Sequence, residues 1–100
     1  MPSTIDLGTL SAGDFEARLN DAFRLPMPTG EVALKLAEVS RLGASKRPGG
    51  AFSLAFLAPA GPVLPQAIYP VVHPALGTLE IFLVPLGPGN GGMRYEAVFT

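Results

Sequence analysis

The alternation of apolar and polar positions predicts a sheet protein with one helix. The strongest signal is residues 66–86, QAIYPVVHPALGTLEIFLVPL. Two apolar, β-rich runs flank His73-Pro74-Ala75-Leu76-Gly77, which reads as a hairpin turn. In the first run Ala67, Tyr69 and Val71 oppose Ile68, Pro70 and Val72. Pro70 has no N–H for a ladder, so it belongs at an edge or an outward-facing gap. In the second run Leu79, Ile81 and Leu83 share one face, and Thr78, Glu80, Phe82 and Val84 the other. Both faces of 78–84 are largely apolar, which predicts cover on both sides, by the core and by the helix or a second protein. Phe52, Leu54 and Phe56 alternate with Ser53 and Ala55 in another strand. Met93, Tyr95, Ala97 and Phe99 alternate with Arg94 and Glu96 in a last one.

The helix signal lies near the start. Ser11 followed by Asp14 resembles a capping box with Asp in place of Glu, and Leu10 and Phe15 have the spacing of a hydrophobic staple. Phe15, Leu19 and Ala22 recur at helical spacing, which predicts a helix over about 12–21 lying on the sheet. Residues 3–8 read as a short strand or extended arm, Phe23-Arg24-Leu25 as the start of the sheet, and Pro26 to Gly30 as a turn. Residues 31–42 are ambiguous. Propensity and the charges Glu31, Lys35 and Glu38 favour a helix slightly. Alternation of Val32, Leu34 and Leu36 favours a strand, with a slip near Ala37-Glu38 that a bulge would explain. Residues 43–50 form a loop with a basic tip at Lys46 and Arg47, and 58–65 a Pro-rich extended connection.

Composition adds an expectation about the surface. The chain has 100 residues, read as a single domain spanning 1–100, with 48% hydrophobic and only 15% charged side chains. Charged residues usually make up roughly 25%, so part of the surface is expected to be apolar and to meet a partner. The net charge of −1 predicts no nucleic-acid partner, and the lack of cysteine removes disulfide and thiolate chemistry. No run of about 18 apolar residues predicts a membrane span. The first ten residues lack the pattern of a signal peptide, so cytoplasmic synthesis is expected.

Candidate chemistry is sparse. Gly87-Pro88-Gly89-Asn90-Gly91-Gly92 spells G-x-G-x-x-G, but a dinucleotide site needs a helix after it, and here a strand follows. The segment reads instead as a hairpin loop with Asn90-Gly91 as the turn pair. His73 is the sole histidine; Glu80 would approach it only across the hairpin, so it reads as a turn residue rather than a base or a ligand. Glu80 and Glu96 on neighbouring strands read as solubilising charges, and Pro62-Val63-Leu64-Pro65 as a loop rather than a polyproline ligand. No serine sits in a nucleophile motif. No catalytic residue, cofactor, metal or small-molecule ligand is expected.

Several stretches together resemble a known family. They are Asp14-Phe15 with Phe23, Phe52-Ser53-Leu54-Ala55-Phe56, Leu64-Pro65-Gln66 with Tyr69, His73-Pro74-Ala75-Leu76-Gly77, Phe82-Leu83-Val84-Pro85 and Met93 to Phe99. They are similar to a group of bacterial domains of about 100 residues with no assigned function. Its most specific parts match the turn signature His73, Pro74, Leu76 and Gly77 and the terminal Arg-Tyr-Glu-Ala-Val-Phe. The resemblance implies an extended conformation for 31–42 and a setting near phage-tail-collar or tail-fibre-like proteins. The combined expectation is a mainly β fold: a small antiparallel barrel or strongly bent sheet of five or six strands, meander-connected, with one N-terminal α-helix. The alternative is α+β with 31–42 helical. The expected role is a non-enzymatic structural or interaction module, assembling with itself or with a tail-fibre-like protein, with Thr78, Glu80, Phe82 and Val84 as candidate contacts. A ligand-binding barrel lined by Phe52, Phe56, Tyr69 and Phe82 is the second reading, and an enzyme using His73 the third.

Overall fold

Alternation becomes strands wherever the inward set is bulky enough to fill a core. The computed structural model describes residues 10–28, 30–43, 50–59, 63–89 and 91–99. In chain order they form α1 (Ala12–Glu16), β1 (Ala22–Met27), β2 (Gly30–Gly43), β3 (Ala51–Pro59), β4 (Ala67–His73), β5 (Gly77–Gly89) and β6 (Gly92–Phe99). All neighbouring strands are antiparallel, and the sheet closes on itself in the order β1-β2-β3-β6-β5-β4. The mainly β expectation holds, in its closed form, and closure removes the free sheet edges that invite aggregation. The helical alternative for 31–42 is excluded.

The route of the chain is not the expected simple meander. β1–β2–β3 is one meander and β4–β5–β6 another; the two join along β3 and β6, from Phe52↔Phe99 to Pro59↔Gly92. Exchanging the halves leaves the ring order unchanged. The middle strand of each is the longest, and each carries a register shift, at Leu36/Glu38 in β2 and Pro85/Gly87 in β5. The slip near Ala37 is therefore a bulge. It turns Val39 back towards the core after two consecutive exposed residues, Ala37 and Glu38. Hairpin turns also correspond: Gly30 and Gly77 both have positive φ, 128° and 80°, a conformation that costs glycine little. Gly92 is fixed by packing instead, since a Cβ there would overlap the Ala58 carbonyl.

The ring is filled by side chains, as expected for so few strands. Phe23, Leu25, Leu34, Leu36, Phe52, Leu54, Phe56, Val71, Leu79, Ile81, Leu83, Tyr95 and Ala97 are all buried. Helix propensity loses to this geometry at residues 31–42: as a strand, the segment sends Leu34 and Leu36 together into the core, where both are fully buried.

α1 closes one end, but it stops at Glu16 rather than near 21. The main chain leaves the helix here to bond with β2 on its way into β1. The Asn20 N–H donates to the Leu36 carbonyl (2.8 Å), the Leu36 N–H donates to the Asp21 carbonyl (3.0 Å), and Asn20 takes φ 71°. Leu19 and Ala22 are consequently exposed rather than part of a helical stripe. Five residues cannot hold a helix in isolation. This one is held by the Asp14 carboxylate, which accepts from the Ser11 N–H at 2.8 Å, and by Phe15. The Phe15 ring is wholly buried, 5.6 Å from Phe52, 5.7 Å from Phe99 and 6.5 Å from Phe23.

Other boundaries shift by a few residues. Pro26 and Met27 belong to β1, Ala58 and Pro59 to β3, and Gly87 to Gly89 to β5, because ladder pairing continues through them. The expectations for 3–8, for the basic tip at Lys46 and Arg47, and for Pro62 and Asn90 lie outside the described residues.

Candidate interaction face

Two places in the fold bear on function: the seam where the ring closes, and the outer face of β4, β5 and β6. The seam is the weakest ladder; among the described residues, Arg24↔Val72 is the only pair between β1 and β4. Pro70 falls in the stretch of β4 that is paired to β5 alone, as its missing N–H predicts. His73, at the end of β4, latches this seam. Its Nε2 lies 2.8 Å from Asp21 Oδ2, and its Nδ1 accepts the Ala75 N–H at 3.0 Å. An accepting Nδ1 carries no proton, so the proton sits on Nε2 and is donated to Asp21. The ring also lies on Phe23, with centroids 4.6 Å apart. Both nitrogens are thus engaged within the fold in this arrangement. Pro74 to Leu76 form the turn, and Gly77 pairs with His73 across it.

The anticipated partner of His73 is displaced. Glu80 stands opposite Pro70 and points outwards, whereas His73 is buried. Sequence reasoning missed Asp21, whose carboxylate arrives from 52 residues away; no local spacing could have announced it. Nor do Glu80 and Glu96 form a pair, because Glu96 stands opposite Val84. After Gly87–Gly92 the chain enters β6, not a helix, so the dinucleotide context is absent.

The outer face of the second half is where the sequence placed its contacts. Thr78 and Val84 are half-buried, and Glu80 and Phe82 are exposed. The predicted cover over this face by the helix is overturned: α1 packs on β2 and β3 instead. Phe82 is 48% exposed, its ladder partner Ile68 64%, and Val98 on β6 54%. Together they make an apolar row across three adjacent strands. The β5–β6 ladder ends at Val84↔Glu96. Beyond it a notch of about 170 Å³ opens, lined by Ile68, Glu80, Ile81, Phe82, Ala97, Val98 and Phe99. Phe52 and Phe56 are buried in the core while Phe82 lies outside, so the cavity expected from Phe52, Phe56, Tyr69 and Phe82 is not formed as one. Tyr69 is half-buried, its hydroxyl donating to the Pro65 carbonyl at 2.6 Å.

The first half has a matching outer face with different content. It carries the ion pairs Arg24–Glu31 (3.4 Å) and Arg41–Glu16 (2.7 Å), together with Lys35 and Glu38. Arg41 holds the Glu16 carboxyl below its ordinary range, first by hydrogen bonding and further by its charge, against an opposing effect of desolvation. The β2–β3 ladder ends at Lys35↔Leu57, and a notch of about 280 Å³ opens beside it.

Comparison with known proteins gives one match. The chain belongs to the DUF6916 family, a domain of unknown function, whose family model covers residues 10–99. No curated protein and no solved structure matches it.

Proposed function

We propose, from the premise that this chain belongs to a family with no assigned activity, that it is a non-enzymatic interaction module docking a protein partner through the outer face of β4, β5 and β6. The observation that carries the reading is the exposed row Ile68, Phe82 and Val98 on three neighbouring strands of a small domain. A contiguous apolar patch rimmed by charges is the usual mark of a protein contact. An aromatic residue at its centre is the usual anchor. Glu80 and Glu96 stand at the rim. The resemblance to domains encoded beside tail-fibre-like and tail-collar-like proteins supplies the class of partner, and assembly with further copies of the same chain belongs to the same reading.

The test is light scattering on the protein alone and mixed with purified co-encoded neighbours, repeated with Phe82→Asp. The reading expects a complex in at least one of these samples and its loss in the variant. Monomers throughout, or a complex indifferent to Phe82→Asp, would overturn it.

A further inference from the structure

The two notches are counterparts with opposite chemistry. Aligning the hairpin glycines Gly30 and Gly77 places Lys35 on Phe82 and Ala33 on Glu80. Each notch opens where the long middle strand of its half parts from the next strand. The first-half notch is lined by small and apolar residues, among them Ala22, Ala33, Leu57 and Pro59, and its one charge is the exposed cation Lys35. The second-half notch is walled by Ile68, Phe82 and Val98, and its one charge is the exposed carboxylate Glu80. Neither Lys35 nor Glu80 has an ionic partner among the described residues.

A lysine side chain is a four-carbon apolar stem ending in a cation, and it can bury the stem while keeping the head in a polar setting. The second-half notch offers both halves of that requirement: an apolar wall with an exposed aromatic ring, and a carboxylate at its mouth. Arg94 is the one outward cation on the strands of that half itself, but it sits on β6 and its stem lies over Gly89. In the ring, β2 and β5 stand opposite one another, so the cation and the receiving notch are on different sides of one molecule.

We infer that the partner is a second copy of this chain, whose Lys35 enters the notch between β5 and β6. Its ammonium meets Glu80, and its stem lies along Ile68, Phe82 and Val98. The inference rests on the docking reading above and names its occupant. Because the two surfaces differ, the contact is head-to-tail, and copies add in open series rather than closing as a face-to-face pair.

Charge exchange tests it on the full chain. Sedimentation velocity of the native protein should show mass rising with concentration and falling with added salt. Lys35→Glu and Glu80→Lys should each weaken self-association by about tenfold or more, since like charges then face one another. Mixed in equal amounts, the two variants should associate again. The acid introduced at position 35 of one then meets the base introduced at position 80 of the other, and the unaltered Lys35 meets the unaltered Glu80. All these substitutions are on exposed positions, and unchanged circular dichroism confirms the fold. A native protein that stays monomeric overturns the inference, as does a mixture no more associated than its parts. Binding to a co-encoded neighbour by a chain that never self-associates would overturn the inference and leave the docking reading standing.

Discussion

The first half, β1 to β3, and the second, β4 to β6, solve the same folding problem with the same outline. Each is a meander with a bulged central strand, and each sends a row of bulky residues inwards: Leu34 and Leu36 from β2, Ile81 and Leu83 from β5. Their outer faces have diverged. Where the first half shows Ala22, Lys35 and Leu57, the second shows Ile68, Phe82 and Val98. The inward set is constrained because a narrow closed ring must be filled without voids. The outer set has no such constraint, and the proposed docking reading assigns the contrast to a partner. Two further differences are structural. A helix is present in the first half alone, packed on β2 and β3 and reaching the second half through the Phe15–Phe99 contact, and a buried histidine closes the second hairpin where the first has Met27.

The largest effect should come from the unmatched helix. Phe15→Ala removes a ring packed among Phe23, Phe52 and Phe99, and should cost about 4 kcal/mol in urea denaturation. A loss below about 1 kcal/mol would mean that α1 is an ornament on a self-sufficient ring. The equivalence of the halves is tested by Leu36→Ala and Leu83→Ala. Both side chains are fully buried, and each should cost about 3 kcal/mol. A difference much larger than their common value would break the comparison.

Next in size is His73→Met, which makes the second hairpin resemble the first. It removes the bonds to Asp21 and the Ala75 N–H at the sparsely paired seam, and should cost about 1–2 kcal/mol. Exchange of the β4 amides with solvent should quicken more than that of β3; uniform quickening would show that the seam is no weaker than the other ladders.

The smallest effect belongs to the first half's surface. Arg41 depresses the Glu16 carboxyl below its ordinary value of 4.5, so the pair stabilises the fold above that value and stops doing so as pH falls through the depressed one. Stability curves of the native protein and Glu16→Gln should therefore differ slightly at neutral pH and low salt, and converge in acid. Curves still separated in strong acid would assign the difference to something other than this ion pair.

Much of this architecture was legible in the residues. The alternation at Met93, Tyr95, Ala97 and Phe99 marked the inward face of β6, and the slip at Ala37 marked a real bulge. What stayed hidden is what depends on distant pairing. The helix was overread because Leu19 and Ala22 fall at helical spacing, while the main chain leaves the helix to bond with Leu36. Ring order was hidden because β3 pairs with β6, far along the chain, rather than with the strand that follows it. The Asp21–His73 latch was hidden for the same reason. At the outer face, Thr78, Glu80, Phe82 and Val84 were correctly grouped by period 2, but their companions Ile68 and Val98 emerge only when three strands lie side by side.

The central claim is that the outer faces of the two halves are unlike because they meet a partner. A dilution series followed by amide nitrogen–proton correlation spectra, begun where self-association sets in, tests it most directly. The account predicts concentration-dependent shifts at Ile68, Glu80, Phe82 and Val98 and, on the opposite side of the ring, around Lys35, with the core amides of Leu54 and Tyr95 unmoved. Shifts spread evenly over the molecule, or none at any concentration, would contradict it.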